Sequence, residues 1–174
     1  MDAGLKKRRA ALARKLEAAR VTLDGGLPAA YLRVRDEAMH TLGVGTMREM
    51  RSVVTGIILP SLRTRDYTLA EKINLWRGKA ATGVSSMWKE ILAADLAERV
   101  PGVGVPVYFL HGAHDYTCTC AEASAYFASL TAPLKGFYTF RQSAHSPMFE
   151  EPDRFMTILR DDVLNGTNQL ADRT

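Results

Sequence analysis

Residues 105–152, VPVYFLHGAHDYTCTCAEASAYFASLTAPLKGFYTFRQSAHSPMFEEP, decide how the chain folds. Val107 to Leu110 is a short continuous apolar run rich in β-formers, which suits a strand buried on both faces. Ala121 to Leu130 has helical periodicity, with Ala123, Tyr126, Phe127 and Leu130 on one face. Ala132, Pro133 and Gly136 turn the chain, residues 137–140 (FYTF) form a second strand, and Asp153 to Leu164 is a closing helix that stops at Gly166. Strand, helix, strand, helix in this order implies two parallel strands joined by a right-handed crossover.

Working outward from that unit, the first hundred residues contain helical signals and no strand signal. Leu5, Ala11, Leu12, Leu16 and Ala19 recur at helical spacing up to about Val21, opposite a basic face. A second helix is expected over 29–42, closed by Gly43 and Gly45, with His40 a half-buried structural residue beside its apolar face. A third is expected from residue 46 to residue 59, ending before Pro60 and burying Met47, Met50, Val53, Val54, Ile57 and Ile58. A fourth begins at Thr68, where Glu71 stands at capping-box spacing ahead of Ile73, Leu75 and Trp76, and stops at Gly78. A fifth is expected from about Val84 to Leu96. The expected fold class is therefore α/β, with a helical, cap-like region over residues 1–98 and a βαβα segment over 99–174 in one compact unit. The segment after Gly166, TNQLADRT, carries no periodic signal and is expected to fray.

Composition sets the setting. The chain has 174 residues, 47 % of them hydrophobic, and a net charge of +4, which suits a single domain with a real core. The excess charge sits at the N-terminus, where Lys6, Lys7, Arg8, Arg9, Arg14, Lys15 and Arg20 outnumber Asp2 and Glu17. No aromatic residue interleaves these charges and no nucleic-acid motif follows, so a solvated helix face is expected rather than a nucleic-acid or membrane partner. No apolar run of about 18 residues occurs, and Cys118 and Cys120 do not form a secreted disulfide framework. A cytoplasmic location is expected.

The chemistry-bearing residues fall where a parallel sheet concentrates function. Asp115 and His145 both lie in loops directly after expected strands, on the carboxyl edge of the sheet. Adjacent strands are about 5 Å apart, so a carboxylate after one strand and an imidazole after the next are able to meet. That pair fits the orienting half of a nucleophilic triad, in which the carboxylate fixes the histidine tautomer and the histidine takes a proton from a serine.

PVYFLHGAHDYT, with an apolar strand ending in HG and an Asp three residues later, resembles the acid-bearing segment of an α/β hydrolase. QSAHSPMFEEPDRF, with His ahead of Pro and an EEP helix start, resembles the histidine segment. The resemblance is strongest to the prolyl iminopeptidase-like branch, and the cap-like run RDYTLAEKINLWRGK extends it, so that it covers about residues 30–165. It implies Asp115 as triad acid, His145 as base, and amide or ester hydrolysis of a small-molecule or peptide substrate. It also implies a serine in a G-x-S-x-G elbow on an earlier strand. No G-x-S-x-G occurs in these residues; the nearest stretch, Gly83, Val84, Ser85, Ser86 and Met87, lacks the second Gly and a preceding strand. Ser143 and Ser146 are too close to His145 in sequence to be presented to its ring. The chain thus reads like the part of a hydrolase that follows its nucleophile, and the serine would come from elsewhere. The alternative is a non-catalytic binding or assembly module.

Tyr116, Trp76, Trp88 and Phe149 are candidate pocket residues. A metal reading of His111, His114, Asp115, Cys118 and Cys120 fails on spacing, because the CxC is tighter than the usual C-x-x-C and the ligands do not form two separated pairs. Neither metal nor cofactor is expected. A two-stranded sheet leaves an open edge, so self-association or a complementary chain is expected there.

Overall fold

The structure is a computed structural model that describes residues 3–19, 29–42, 46–50, 52–82, 90–91 and 93–173. The chain divides into two compact units: Met1–Leu42 with Met50–Ala94, and Gly43–Glu49 with Asp95–Thr174. No described helix is long and apolar enough to cross a membrane.

The first unit is helical. Helix α1 (Ala3–Ala18) and helix α2 (Ala29–Leu42) pack on each other, burying Leu12, Ala19 and Ala38. Of the expected apolar face, Leu12 and Ala19 are thus buried, and Ala11 and Leu16 partly so. Lys15 and Glu37 form an exposed ion pair at 3.4 Å, of a kind that contributes little to stability.

The expected helix over 46–59 is corrected. Residues 46–49 are bends and turns; helical structure starts at Val53, continues as a π-helical turn (Val54–Ile58), and runs into α3 (Leu59–Arg63). Pro60 does not stop it. In the π turn Leu59 N–H bonds Val54 O, and Pro60 falls in the first turn of α3, where its missing N–H leaves no bond unmade. Helix α4 (Leu69–Thr82) passes through Gly78. Its capping box is formed in both directions: Glu71 N–H donates to Thr68 Oγ1 (3.3 Å) and Thr68 N–H to Glu71 Oε2 (2.7 Å). The Thr68 hydroxyl, which also donates to Glu71 Oε2 (2.7 Å), and then the Thr68 N–H hold the Glu71 carboxyl below its ordinary pKa.

Val54, expected to be buried, is 52 % exposed, and the apolar Ile73 and Leu75 of α4 are 48 % and 56 % exposed. Periodicity identifies an apolar stripe but not what covers it. Most of the expected helix over 84–96, the Gly83–Met87 stretch and the side chain of His40 lie outside the described residues.

The second unit is built on two parallel strands, β1 (Val107–Gly112) and β2 (Lys135–Phe140), paired from Val107↔Lys135 to Gly112↔Phe140. After a single short turn, α5 (Leu96–Arg99), capped by Asp95, the chain enters β1. It returns through α6 (Cys120–Ser129), whose N-cap is Thr119. Alternation assigns the two faces of the sheet. On one, Phe109 meets Phe127 at 5.3 Å and Phe137 at 6.0 Å between ring centroids, so α6 covers this face. On the other, Tyr138, Phe140 and Ile158 form the buried core, joined by Tyr108, Leu110, Phe155 and Val163. This side is closed by α7 (Pro147–Glu150), α8 (Pro152–Ile158) and a π-helical turn (Leu159–Val163). Lys135 Nζ donates to Phe127 O and Leu130 O, both at 2.7 Å, placing a cation on the last carbonyls of α6.

The segment after Gly166, expected to fray, is docked. Along β2, Lys135, Phe137 and Thr139 turn their backbone groups away from β1. Asn168 Nδ2 donates to Lys135 O (2.7 Å), Asp172 N–H to Phe137 O (2.8 Å), and Thr139 N–H to Asp172 Oδ2 (2.8 Å). Gly166, at φ 65°, makes the reversal. Asp162 anchors it. Fully buried, its carboxylate accepts from Tyr138 Oη (2.9 Å), Thr167 Oγ1 (2.7 Å), Gln169 N–H (2.8 Å) and Leu170 N–H (2.8 Å). Burial is the largest influence on Asp162 and pushes its pKa up; the four hydrogen bonds together outweigh it and hold the group below its ordinary value. Tyr138 is pushed up, by burial first and then by Asp162.

Candidate active site

The site forms where β1 and β2 end on the same edge. Gly112 closes β1, and the chain continues directly into the turn holding Ala113, His114 and Asp115. Ala113 N–H donates to Phe140 O (2.8 Å) and His114 N–H to Ser143 O (3.0 Å), so the acid loop and the histidine loop are bonded to each other. They approach so closely at Gly112 that a Cβ there would lie 2.5 Å from Ser143 O and nearer still to Ala144 O. Gly112 has no positive φ; the requirement is for space.

Asp115 Oδ2 meets His145 Nδ1 at 2.7 Å. The other carboxylate oxygen, Oδ1, accepts from Thr117 N–H (2.8 Å) and Cys118 N–H (3.0 Å), an Asx-type turn that fixes the rotamer. Asp115 is 5 % exposed while the His145 side chain is 44 % exposed. The acid is therefore sheltered and immobilised, and the imidazole presents its outer edge to solvent. With Nδ1–H donated to the carboxylate, Nε2 is left as the outward acceptor, the form a general base requires.

Glu150 and Glu151, expected only as the start of the closing helix, hold the histidine loop. Glu151 Oε2 accepts from Gln142 N–H (3.0 Å) and Ser143 Oγ (2.6 Å). Glu150 Oε2 accepts from Ala144 N–H (2.7 Å) and its Oε1 from Arg48 N–H (2.5 Å). The available signal was their place: two acids directly after a tight loop whose N–H groups have no strand or helix to pair with. Ser143 is buried and committed to Glu151, which removes it as a nucleophile for His145.

The candidate pocket residues fare unequally. Tyr116 and Phe149 flank the pair in sequence and are 63 % and 72 % exposed. Trp76 lies in the first unit, where its indole N–H donates to Ser61 Oγ (3.1 Å) and ties α4 to α3. Trp88 lies outside the described residues. A polar cavity of about 260 Å³ lined by Thr139, Arg141, Gln142, Glu151, Arg154 and Asp172, and an apolar one of about 320 Å³ lined by Met156, Leu159, Arg160, Val163 and Leu164, include neither Asp115 nor His145.

Cys118 Sγ, the Asp115 carboxylate and a ring nitrogen of His145 lie within 4.8 Å of one another. Burial first, then the negative charge of Asp115, pushes the Cys118 thiol up, so it is protonated at neutral pH and is a poor nucleophile.

No family model matches the chain. Over 60 residues it is 38 % identical to a probable aminopeptidase, YbaC, of Bacillus subtilis (strain 168), covering 34 % of this chain and 19 % of that protein. A structural likeness to an esterase from Exiguobacterium antarcticum has a TM-score of 0.41 at 14 % identity, over 90 % of this chain and 48 % of that one. The matched part thus covers less than half the length of either protein. The aminopeptidase match, over a third of the chain, supports a hydrolase-like relationship.

Proposed function

We propose that this chain supplies the acid and base of a serine hydrolase of α/β-hydrolase type, prolyl iminopeptidase-like, that cleaves an amide or ester bond. The observation that carries the reading is the 2.7 Å contact from buried Asp115 to the exposed ring of His145 at the carboxyl edge of a parallel sheet. In this mechanism Asp115 holds the Nδ1–H tautomer, and His145 Nε2 takes the proton of a serine hydroxyl as that oxygen attacks the carbonyl. The imidazolium then returns the proton to the leaving group. The serine lies outside these 174 residues, either elsewhere in the same protein or on a complementary chain. Tyr108 and Leu110, alternating with the β1 residues bonded to β2, direct their backbone groups to the other edge of β1, which suits a further parallel strand carrying the nucleophile.

The test is complementation. The chain is co-expressed with an α/β-hydrolase fragment that carries a G-x-S-x-G serine, the pair is co-purified, and p-nitrophenyl esters and a prolyl anilide are assayed. Turnover and fluorophosphonate labelling that both fall by at least ~10³-fold in His145→Ala are expected. A co-purified pair that hydrolyses none of the panel, or whose turnover survives His145→Ala, would favour the non-catalytic assembly module instead.

A further inference from the structure

Cys118 takes no part in the proton relay, yet it stands beside it. Its backbone N–H is bonded to Asp115 Oδ1, which fixes the turn that carries the thiol toward the pair. One oxygen, one sulfur and one nitrogen donor, from Asp115, Cys118 and His145, converge within 4.8 Å. Cys118 is exposed and the His145 side chain is 44 % exposed, so an ion has an entry path and water has room at a remaining coordination position.

We infer that Asp115, Cys118 and His145 form a binding site for a thiophilic divalent cation, Zn²⁺ or Co²⁺, whose occupancy and the proton relay exclude each other. At zinc bond lengths of about 2.0–2.3 Å, tetrahedral donors stand roughly 3.5 Å apart. The 2.7 Å Asp115–His145 contact opens and the longest donor separation closes, through rotation of the two exposed side chains. On binding, the Cys118 S–H bond breaks, its proton goes to solvent and an S–metal bond forms; Asp115 and the unprotonated nitrogen of the neutral His145 ring become ligands, the ring proton being carried on the other nitrogen, without change of oxidation state. The Thr117 and Cys118 N–H groups on Oδ1 supply the outer hydrogen bonds that ligating carboxylates receive. The local pattern H-x-x-H-D-x-x-C-x-C contributes only its Asp and first Cys; the third ligand arrives from the loop after β2. That zinc inhibits hydrolysis rests on the function proposed above, whereas the coordination does not.

The experiment titrates the reduced full chain with Co²⁺ and follows the thiolate-to-cobalt charge-transfer absorption. The expected result is a band saturating at one equivalent, abolished in Cys118→Ser, weakened at least ~10-fold in affinity in His145→Ala, and retained in Cys120→Ser and His114→Ala. Circular dichroism confirms that each variant is folded. No band at millimolar Co²⁺ overturns the site, as does a band that survives Cys118→Ser, is lost in Cys120→Ser, or is indifferent to His145→Ala. In a hydrolytically complete assembly, Zn²⁺ inhibition should be reversed by a chelator and absent in Cys118→Ser; equal inhibition of both removes the regulatory consequence. Absence of hydrolysis in that assembly would count against the proposed function and leave the cobalt result standing.

Discussion

Replacing Gly112 by Ala tests how the fold sets the site. The added methyl would lie 2.5 Å from Ser143 O and 2.8 Å from Ala144 C, with Ala144 O nearer still, and all three are backbone atoms of the histidine loop. That loop is held from behind by Glu150 and Glu151, so it retreats only by weakening those bonds and the His114 N–H to Ser143 O bond. The needed displacement is roughly 1 Å, and overpacking of this kind costs about 1–3 kcal/mol. For a unit of this size that corresponds to a fall in Tm of roughly 5–20 °C. Moving His145 by ~1 Å from Asp115 would also cost about 10²-fold in any activity that uses the pair. Gly104→Ala, where a Cβ meets nothing within 4 Å, is the control and should melt with the parent chain. Calorimetry gives the Tm, and the His145 ring signals in NMR report the pair. A Gly112→Ala chain melting within about 2 °C of the parent, with unshifted His145 signals, would refute the close-approach argument.

Asp162→Ala removes the acceptor of four bonds and leaves buried donors unmatched, so a loss of about 3 kcal/mol or more is expected in chemical denaturation, with faster amide exchange over residues 167–172. Because the folded-state pKa of Asp162 lies below its ordinary value of 3.8, its contribution is fully present above that value and is lost as pH falls below it. Asp162→Asn should therefore flatten the acid limb of the stability profile below about pH 4; an unchanged slope would contradict the assignment. Glu151→Ala should raise hydrogen exchange at Gln142 and Ser143 while leaving β1 protected, and protection unchanged at both would show that Glu151 does not hold the loop. Thr119→Ala should cost about 1 kcal/mol through the lost α6 cap, measured as a shift of denaturation midpoint with constant m-value.

The sheet and its crossover were legible because two signals agreed: apolar runs of strand length at Val107 and Phe137, and Gly and Pro punctuation around a periodic helix. The contact of Asp115 with His145 was legible for a topological reason, since residues following two adjacent parallel strands share an edge whatever lies between them. The docked tail was not. Its partners are the outward backbone groups of β2, which leave no trace in side-chain pattern, and its anchor is a single buried carboxylate. Asp162 did leave a sign, standing four residues after Ile158 and seven after Phe155 on the apolar face of the closing helix. A charge at a core-facing position calls for partners, here Tyr138 and the residues after Gly166. The π-helical turn before Pro60 was hidden as well, because the shifted hydrogen bond that lets the helix pass proline depends on geometry rather than residue type. The metal reading took its ligands from sequence neighbours, whereas the donors that converge include His145 from a different loop.

The most direct test of the central claim is the tautomer of His145, read from imidazole ¹⁵N shifts in the parent chain and in Asp115→Asn at a pH where the ring is neutral. The account predicts a ring locked as Nδ1–H in the parent and a loss of that form when the carboxylate acceptor is replaced. The same mixed tautomer in both chains would contradict the claim that Asp115 prepares His145 to act as a base.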